Sequence, residues 1–492
     1  MKKKEISYRH IVKTTSIFGG VQVFNIFVNI IRSKFVAVLL GPTGIGIAGL
    51  LSATVNMVIA LTNFGLGTSA VKDISAAHGT GDNGRVSMVV TVFRRLIWIT
   101  GLLGALVTMA LSAWLSQLAF GNTEYTWAFI FLSFTLLLNQ ISTGQKVLLR
   151  GMRKIRDMAQ AGMIGSVVGL ITTVPLYYIY GIDGIVPGMI ITSVSTLFVN
   201  WLFARRISIK SIKVTKIDLV NEGKGMLKLG FLMSLSGLLS LGASYIVRIF
   251  ISNLGGVDQI GLYNAGFAII NTYVGMIFTS MSTDYYPRLA AVAYSNSESK
   301  TAINQQAEVA LLIIAPIIMV FLVFINWVVI ILYSTKFIPI NDMILFAAIG
   351  MLFKAASWSI SFILPSKGLS KMFFWNEVAY ISYLLLLNIV GYYFFGLTGL
   401  GISFMITYII YFIQVYMIAR IKFNFSFTSV FYRIFFIQLI LVATCLLVVK
   451  LLDPPFKYIF GSVLITVSWF HAYRELDARL DIKNIIKNYL KK

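Results

Sequence analysis

Residues 29–77, NIIRSKFVAVLLGPTGIGIAGLLSATVNMVIALTNFGLGTSAVKDISAA, decide how the chain is read. An apolar run carrying Arg32 and Lys34 meets a Gly-Pro turn, a second apolar run follows, and charge returns only at Lys72 and Asp73. Each run is long enough to cross a hydrocarbon core of about 30 Å as a helix, which satisfies its own backbone polar groups in lipid. The stretch is a membrane helical hairpin with two cations in its first leg. Residues 244–291, SYIVRIFISNLGGVDQIGLYNAGFAIINTYVGMIFTSMSTDYYPRLAA, form a weaker copy, with Arg248 placed before its turn much as Arg32 is before the first. The chain reads as two related halves, each with a cation inside an apolar span.

Composition widens this to the whole molecule. With 58% hydrophobic and 12% charged residues over 492 positions and a mean hydropathy of +0.84, no water-soluble core could hide so much apolar surface. The expected class is an all-α polytopic membrane protein with about fourteen spans between residues 14 and 473. A β-barrel is excluded because the runs are continuous rather than alternating. Cys445 is the single cysteine, so no intramolecular disulfide is available. The basic N-terminus lacks a short apolar region with a small-residue cleavage site and reads as the flank of the first span.

Charge gives orientation. If the termini share one face, that face holds 34 of the 41 basic residues, the opposite face holds three (Lys336, Lys450 and Lys457), and four (Arg32, Lys34, Arg248 and Lys354) fall within spans. Basic residues accumulate on the cytoplasmic side, so both termini are expected there. The net charge of +23 is then the signature of a face held against anionic lipid, not of a nucleic-acid binder. Trp114, Trp127, Trp201, Trp375 and Trp469 sit near predicted span ends, as interfacial anchors do, whereas Trp358 lies mid-span.

The expected organisation is an N-lobe over residues 1–203, a basic cytoplasmic linker over 204–228, and a C-lobe over 229–421. An extra pair of spans over 422–473 and an amphipathic cytoplasmic tail over 474–492 complete the chain. Gly165 and Gly169 form a small-xxx-small face, and Pro175 and Pro316 interrupt spans where hinges are expected. No segment is large enough for a soluble catalytic domain, and no GxxxxGK[ST] phosphate loop is present. His10, His78 and His471 are scattered and offer neither a metal set nor a triad. The chain is expected not to be an enzyme and to need no cofactor or metal.

The intramembrane cations carry the chemistry. A basic side chain at mid-bilayer costs about 2.5–3.5 kcal/mol on insertion scales, so it persists where it faces a partner or a wet cavity. No Asp or Glu lies near the middle of any span, so an anionic ligand is the expected partner. Lys354 lies about 17 Å from its helix end, and Arg32 and Arg248 about 10–14 Å below their turns, at 1.5 Å per residue. Lys34 is shallower and points about 200° away from Arg32, so it is expected to snorkel. Arg32, Arg248 and Lys354 are therefore the candidate cavity cations, with Lys34 a weaker one. Asp284, Glu308 and Glu377, near the cytoplasmic face, are candidate coupling sites for a proton or Na+, if an ion is used at all.

Several motifs together carry a family resemblance. LLGPTGIG, GLGTSAVKDIS, IGLYNAGFAI, YYPRLA at 285–290, FGNTEY at 120–125, STKF at 334–337 and the region from Lys354 to Lys367 resemble the Wzx-type polysaccharide flippases of the multidrug/oligosaccharidyl-lipid/polysaccharide exporter superfamily. The likeness covers roughly residues 10–420. It implies two six-helix lobes around a central cavity, alternating access, and passage of undecaprenyl-pyrophosphate-linked oligosaccharide, such as an O-antigen unit, to the outer leaflet of a bacterial inner membrane. Membrane lipids and a glycan polymerase complex are the partners to look for. The two extra spans depart from the twelve-helix pattern and resemble the extra pair of peptidoglycan-precursor flippases. Two rivals stand beside this reading. An ion-coupled drug exporter of the same fold would want a buried carboxylate for its cargo. A glycan polymerase or ligase would want a large outer loop, and the outer loops here are only a handful of residues long.

Overall fold

The computed structural model describes residues 2–209, 212 and 214–480, so Lys210 and Lys213 of the expected linker and the tail from residue 481 lie outside the described residues. Helices run in the order α1 (Lys2–Thr62), α2 (Leu66–Gly79), α3 (Asn83–Ala110), α4 (Ser112–Phe120), α5 (Thr126–Gly151), α6 (Ile155–Tyr180), α7 (Ile185–Ala204), α8 (Lys216–Gly255) and α9 (Val257–Ala268). There follow α10 (Met276–Ala291), α11 (Asn296–Val323), α12 (Ile325–Leu332), α13 (Asn341–Ser361), α14 (Ile363–Ser366), α15 (Ser370–Phe423), α16 (Ser429–Leu451) and α17 (Phe456–Leu480). Among the described residues no strand occurs.

Ten helical segments among the described residues are long and apolar enough to cross a membrane. Three of them, Phe24–Thr62, Ile155–Ala204 and Ser370–Phe423, are each two legs joined at a glycine of positive φ: Gly41 at 65°, Gly181 at 55° and Gly396 at 56°. That makes thirteen legs, and α17, less apolar because of its charged final third, stands where the fourteenth span was expected. The molecule is a multi-pass, all-helical membrane protein.

The three turns share a pattern that the sequence reading noticed only once: Gly-Pro-Thr-Gly at 41–44, Gly-Ile-Asp-Gly at 181–184 and Gly-Leu-Thr-Gly at 396–399. The first glycine of each takes a φ/ψ combination that is essentially closed to other residues. At Gly184 and Gly399, the last of the four, an added Cβ would lie 2.5 Å from the Leu176 carbonyl oxygen and 1.8 Å from that of Gly391. The legs touch backbone to backbone there.

By packing, residues 1–261 with Leu332–Ser334 form one compact unit and Leu262–Ile331 with residues 335–492 form another. In the first unit α1 packs on α6 and α8, α3 on α5, and α5 on α7. Its core around α2 includes Leu66, Ile74, Phe93 and Leu149. Thr54 and Tyr245 share a hydroxyl hydrogen bond of 2.9 Å between α1 and α8. In the second unit α13 lies against α15, and α11 against α13, α16 and α17. The sequence repeat divides the chain in the 204–228 linker, whereas packing groups α8, and with it Arg248, with the first unit.

Large apolar side chains such as Leu106, Phe134, Ile171, Phe198, Leu386 and Ile440 stand exposed along the spans, the surface of a molecule solvated by lipid. The five tryptophans expected at span ends are all exposed, while Trp358 packs against Phe278, Tyr285 and Phe362 at 5.4–5.5 Å between ring centroids. Tyr285 of the YYPRLA motif is fully buried and donates its hydroxyl to the Ser359 carbonyl at 2.5 Å. Pro175 and Pro316 sit inside continuous helices. Among the described residues a Cβ at Gly165 would meet nothing within 4 Å and one at Gly169 would meet Thr192 at an ordinary 3.6 Å, so neither glycine of the expected small-residue face is required for a close backbone approach.

Candidate functional site

Lys354 projects from α13, and the groups that meet its ammonium among the described residues are neutral. The nitrogen lies 5.2 Å from the centre of the Tyr408 ring, 5.5 Å from Phe278 and 5.7 Å from Phe404, and it donates to Asn271 Oδ1 at 3.4 Å. Among the described residues no carboxylate pairs with it. Faces of aromatic rings attract a cation through their quadrupole, which makes the site tolerable without neutralising it. Asn271 reaches this position from a π turn over Ile269–Val274, where the Gly275 N–H bonds back to the Ile270 carbonyl at 3.1 Å. Such turns recur at functional sites because the extra residue redirects side chains.

The two arginines belong to the first unit. Arg32 is half-buried on the first leg of α1 and makes no ion pair among the described residues. Arg248, on α8, donates from Nη1 to the Ser244 carbonyl at 3.2 Å and makes a second, shorter bond to the Ser244 hydroxyl, one helical turn back. Lys34 is half-buried two positions beyond Arg32. Lys354, Asp284 and Glu377 belong to the second unit.

The three candidate carboxylates differ sharply. Asp284 is exposed and pairs with Arg288 at 3.7 Å across one helical turn. Glu308 is buried and fully engaged: Arg479 Nε donates to it at 3.1 Å and the Thr428 hydroxyl at 3.0 Å, tying α17 to α11. Glu377, on α15, has only neutral partners among the described residues, accepting from Tyr411 at 3.1 Å and from Asn376 at 3.4 Å. Gln414 then holds Asn376 through a 2.8 Å bond.

Three tyrosines join this carboxylate to the lysine. Tyr408, whose ring lies on the Lys354 ammonium, accepts a hydrogen bond from Tyr380 at 3.3 Å. Tyr380 packs against Tyr411 at 4.8 Å, and Tyr411 donates to Glu377. The sequence reading missed all of these tyrosines and Asn271. The signal available was the spacing of Tyr380 and Tyr383, and of Tyr408 and Tyr411, three apart on the two legs of one helical hairpin. Lys367, also within the family-like region, donates to the Ala293 carbonyl and, at 2.9 Å, to Asn296. Burial pushes its ammonium below the usual lysine range. It fastens the α14–α15 loop to the start of α11.

A family model described as polysaccharide biosynthesis protein matches residues 35–342, more than half of the chain. The chain belongs to that family. The Lipid III flippase of Escherichia coli (strain K12) is 22% identical over 387 residues, covering 77% of this chain and 91% of the relative. A putative O-antigen transporter of Shigella flexneri is 24% identical over 295 residues, covering 59% and 69%. Among solved structures, the lipid II flippase MurJ in an inward closed conformation superposes with a TM-score of 0.71 at 13% identity, covering 94% of this chain and 99% of that one. An inward-facing multidrug resistance MATE family transporter of the MOP superfamily gives 0.67 at 16% identity, covering 83% and 98%. Residues 1–428 are about 87% of the chain, so the 94% match reaches into the α16–α17 pair that the shorter one can omit. The resemblance read from the sequence holds at the level of family and fold.

Proposed function

We propose that this protein is a flippase that moves an undecaprenyl-pyrophosphate-linked oligosaccharide, an O-antigen unit or similar surface glycan, from the cytoplasmic to the periplasmic leaflet of a bacterial inner membrane by alternating access. The observation that carries this reading is Lys354: a cation within a span whose neighbours are rings and an amide rather than a carboxylate. A pyrophosphate carries about two negative charges, whose transfer into bare hydrocarbon would be prohibitive. A fixed ammonium supplies a point charge, and the guanidinium groups of Arg32 and Arg248 supply forked donors. The polyprenyl tail stays in lipid throughout. Family membership and the transport names of the relatives support a carrier rather than an enzyme. Deleting the gene should leave lipid-linked oligosaccharide on the inner leaflet, as read by a leaflet-selective label. Accumulation on the outer leaflet would favour a polymerase or ligase instead.

One observation favours ion coupling within the same reading. Glu377 is a half-buried carboxylate with neutral partners only, so it can take a proton or hold Na+ without breaking an ion pair. Glu377→Gln keeps the hydrogen-bonding shape and removes the charge. It is expected to abolish the dependence of translocation on a proton or Na+ gradient in proteoliposomes, while cargo still binds. Gradient dependence identical to wild type would dismiss Glu377 as the coupling group.

A further inference from the structure

Lys336, Lys450 and Lys457 are the three basic residues that the charge reading of the sequence places on the face opposite the termini, and two of them, Lys450 and Lys457, meet in one cavity. Lys450 at the end of α16 and Lys457 at the start of α17 line a pocket of about 360 Å³ with Asn326, Asn341 and Asp342 from the adjoining ends of α12 and α13. Asp342 pairs with Lys450 at 3.3 Å, whose ammonium also lies 4.8 Å from the Phe346 ring, so the carboxylate neutralises one lysine and leaves the pocket with one net positive charge. Asn341 donates to Asn326, and its own carbonyl oxygen is buried without a hydrogen-bond partner. The pocket sits at the first turn of α13, where the helix dipole adds to the lysines. It therefore offers two ammonium groups, one of them shared with a carboxylate, complementary to a phosphate.

We propose that this pocket binds the phosphate of a lipid headgroup in the leaflet opposite the termini. Basic pockets between transmembrane helices hold lipid phosphates in this way. Two lipids present that chemistry: resident phosphatidylglycerol, and the polyprenyl-pyrophosphate cargo after crossing. The second rests on the flippase reading and the first does not. Asp342 then acts as a competitor for Lys450, which is what keeps occupancy reversible.

The test uses the purified full-length chain in zwitterionic detergent, with binding read by native mass spectrometry. The probes are phosphatidylglycerol, phosphatidylcholine, undecaprenyl pyrophosphate and inorganic phosphate, and the Lys354→Ala background removes the transport-site lysine. At least one of the two anionic lipids is expected to bind more tightly than phosphatidylcholine. Its affinity should weaken about tenfold in Lys450→Gln and in Lys457→Gln, the size of one charge-assisted hydrogen bond, strengthen in Asp342→Asn, and survive in the Lys450→Arg/Lys457→Arg double variant, which controls for folding. The anionic lipid that responds identifies the source. Unchanged affinity in both glutamine variants would overturn the proposal, and so would inorganic phosphate binding as tightly as either anionic lipid.

Discussion

Lys354→Ala should reduce translocation roughly ten- to hundredfold, the loss of one to two charge-assisted contacts to a phosphate, while the protein still accumulates folded in the membrane. Both halves of this result follow from the same surroundings. The ammonium has no carboxylate partner, so its removal leaves no buried charge stranded, which is the usual reason such a substitution unfolds a protein. What is lost inside the chain is a 3.4 Å contact to Asn271 and three ring faces, worth about 0.5–2 kcal/mol each before the desolvation of the amine is recovered. Lys354→Arg should keep much of the transport, since the charge remains, and Arg32→Ala combined with Lys354→Ala should lower it further. The measurement is outward appearance of lipid-linked glycan, normalised to folded protein. Wild-type transport in Lys354→Ala would remove this residue from the mechanism.

The largest effect on stability is expected at Gly65, the first glycine of the GLGTSAVKDIS motif. It initiates α2 with φ at 66°, a conformation that costs an L side chain about 1–2 kcal/mol. A Cβ there would also stand 2.1 Å from the Gly230 carbonyl oxygen and 2.5 Å from the Ser234 hydroxyl, so the start of α2 and α8 could not keep their contact. Gly65→Ala should lower the unfolding temperature sharply or prevent recovery of folded protein. Gly67, two residues on, is the control: its Cβ would meet Thr143 and Val147 at an ordinary 3.8 Å, so Gly67→Ala should change little. Equal behaviour of the two variants would show that the motif is not there for this backbone approach.

What could be read from the sequence follows from what is local. The length of apolar runs and the position of Lys354 deep in a run depend on neighbouring residues alone; the runs led to the right class, and short motifs such as LLGPTGIG and YYPRLA carried the resemblance that led to the right family. All three hairpins were legible as breaks between apolar runs: Gly-Pro interrupts the first, and Gly181 and Gly396 fall in the short gaps at 181–183 and 396–399 where the fourteen-span reading ends one run and starts the next. The surroundings of Lys354 were not legible, because Asn271, Phe278, Phe404 and Tyr408 come from segments up to 137 positions apart and are joined only by packing. The π turn that delivers Asn271 has no composition of its own. Glu308 and Glu377 looked alike as acids near a span end, yet Arg479 engages one and only neutral groups hold the other.

The aromatic surround of Lys354 also bears on selectivity. An ammonium whose ring faces are already turned to it responds to the amount of charge brought near it and does not itself read the stereochemistry of a sugar. A carrier gripping its load there would be choosy about the anchor and indifferent to the decoration, so a single protein could serve strains whose surface sugars have diverged. Discrimination among glycans would then fall to the enzymes that build the unit beforehand or polymerise it afterwards.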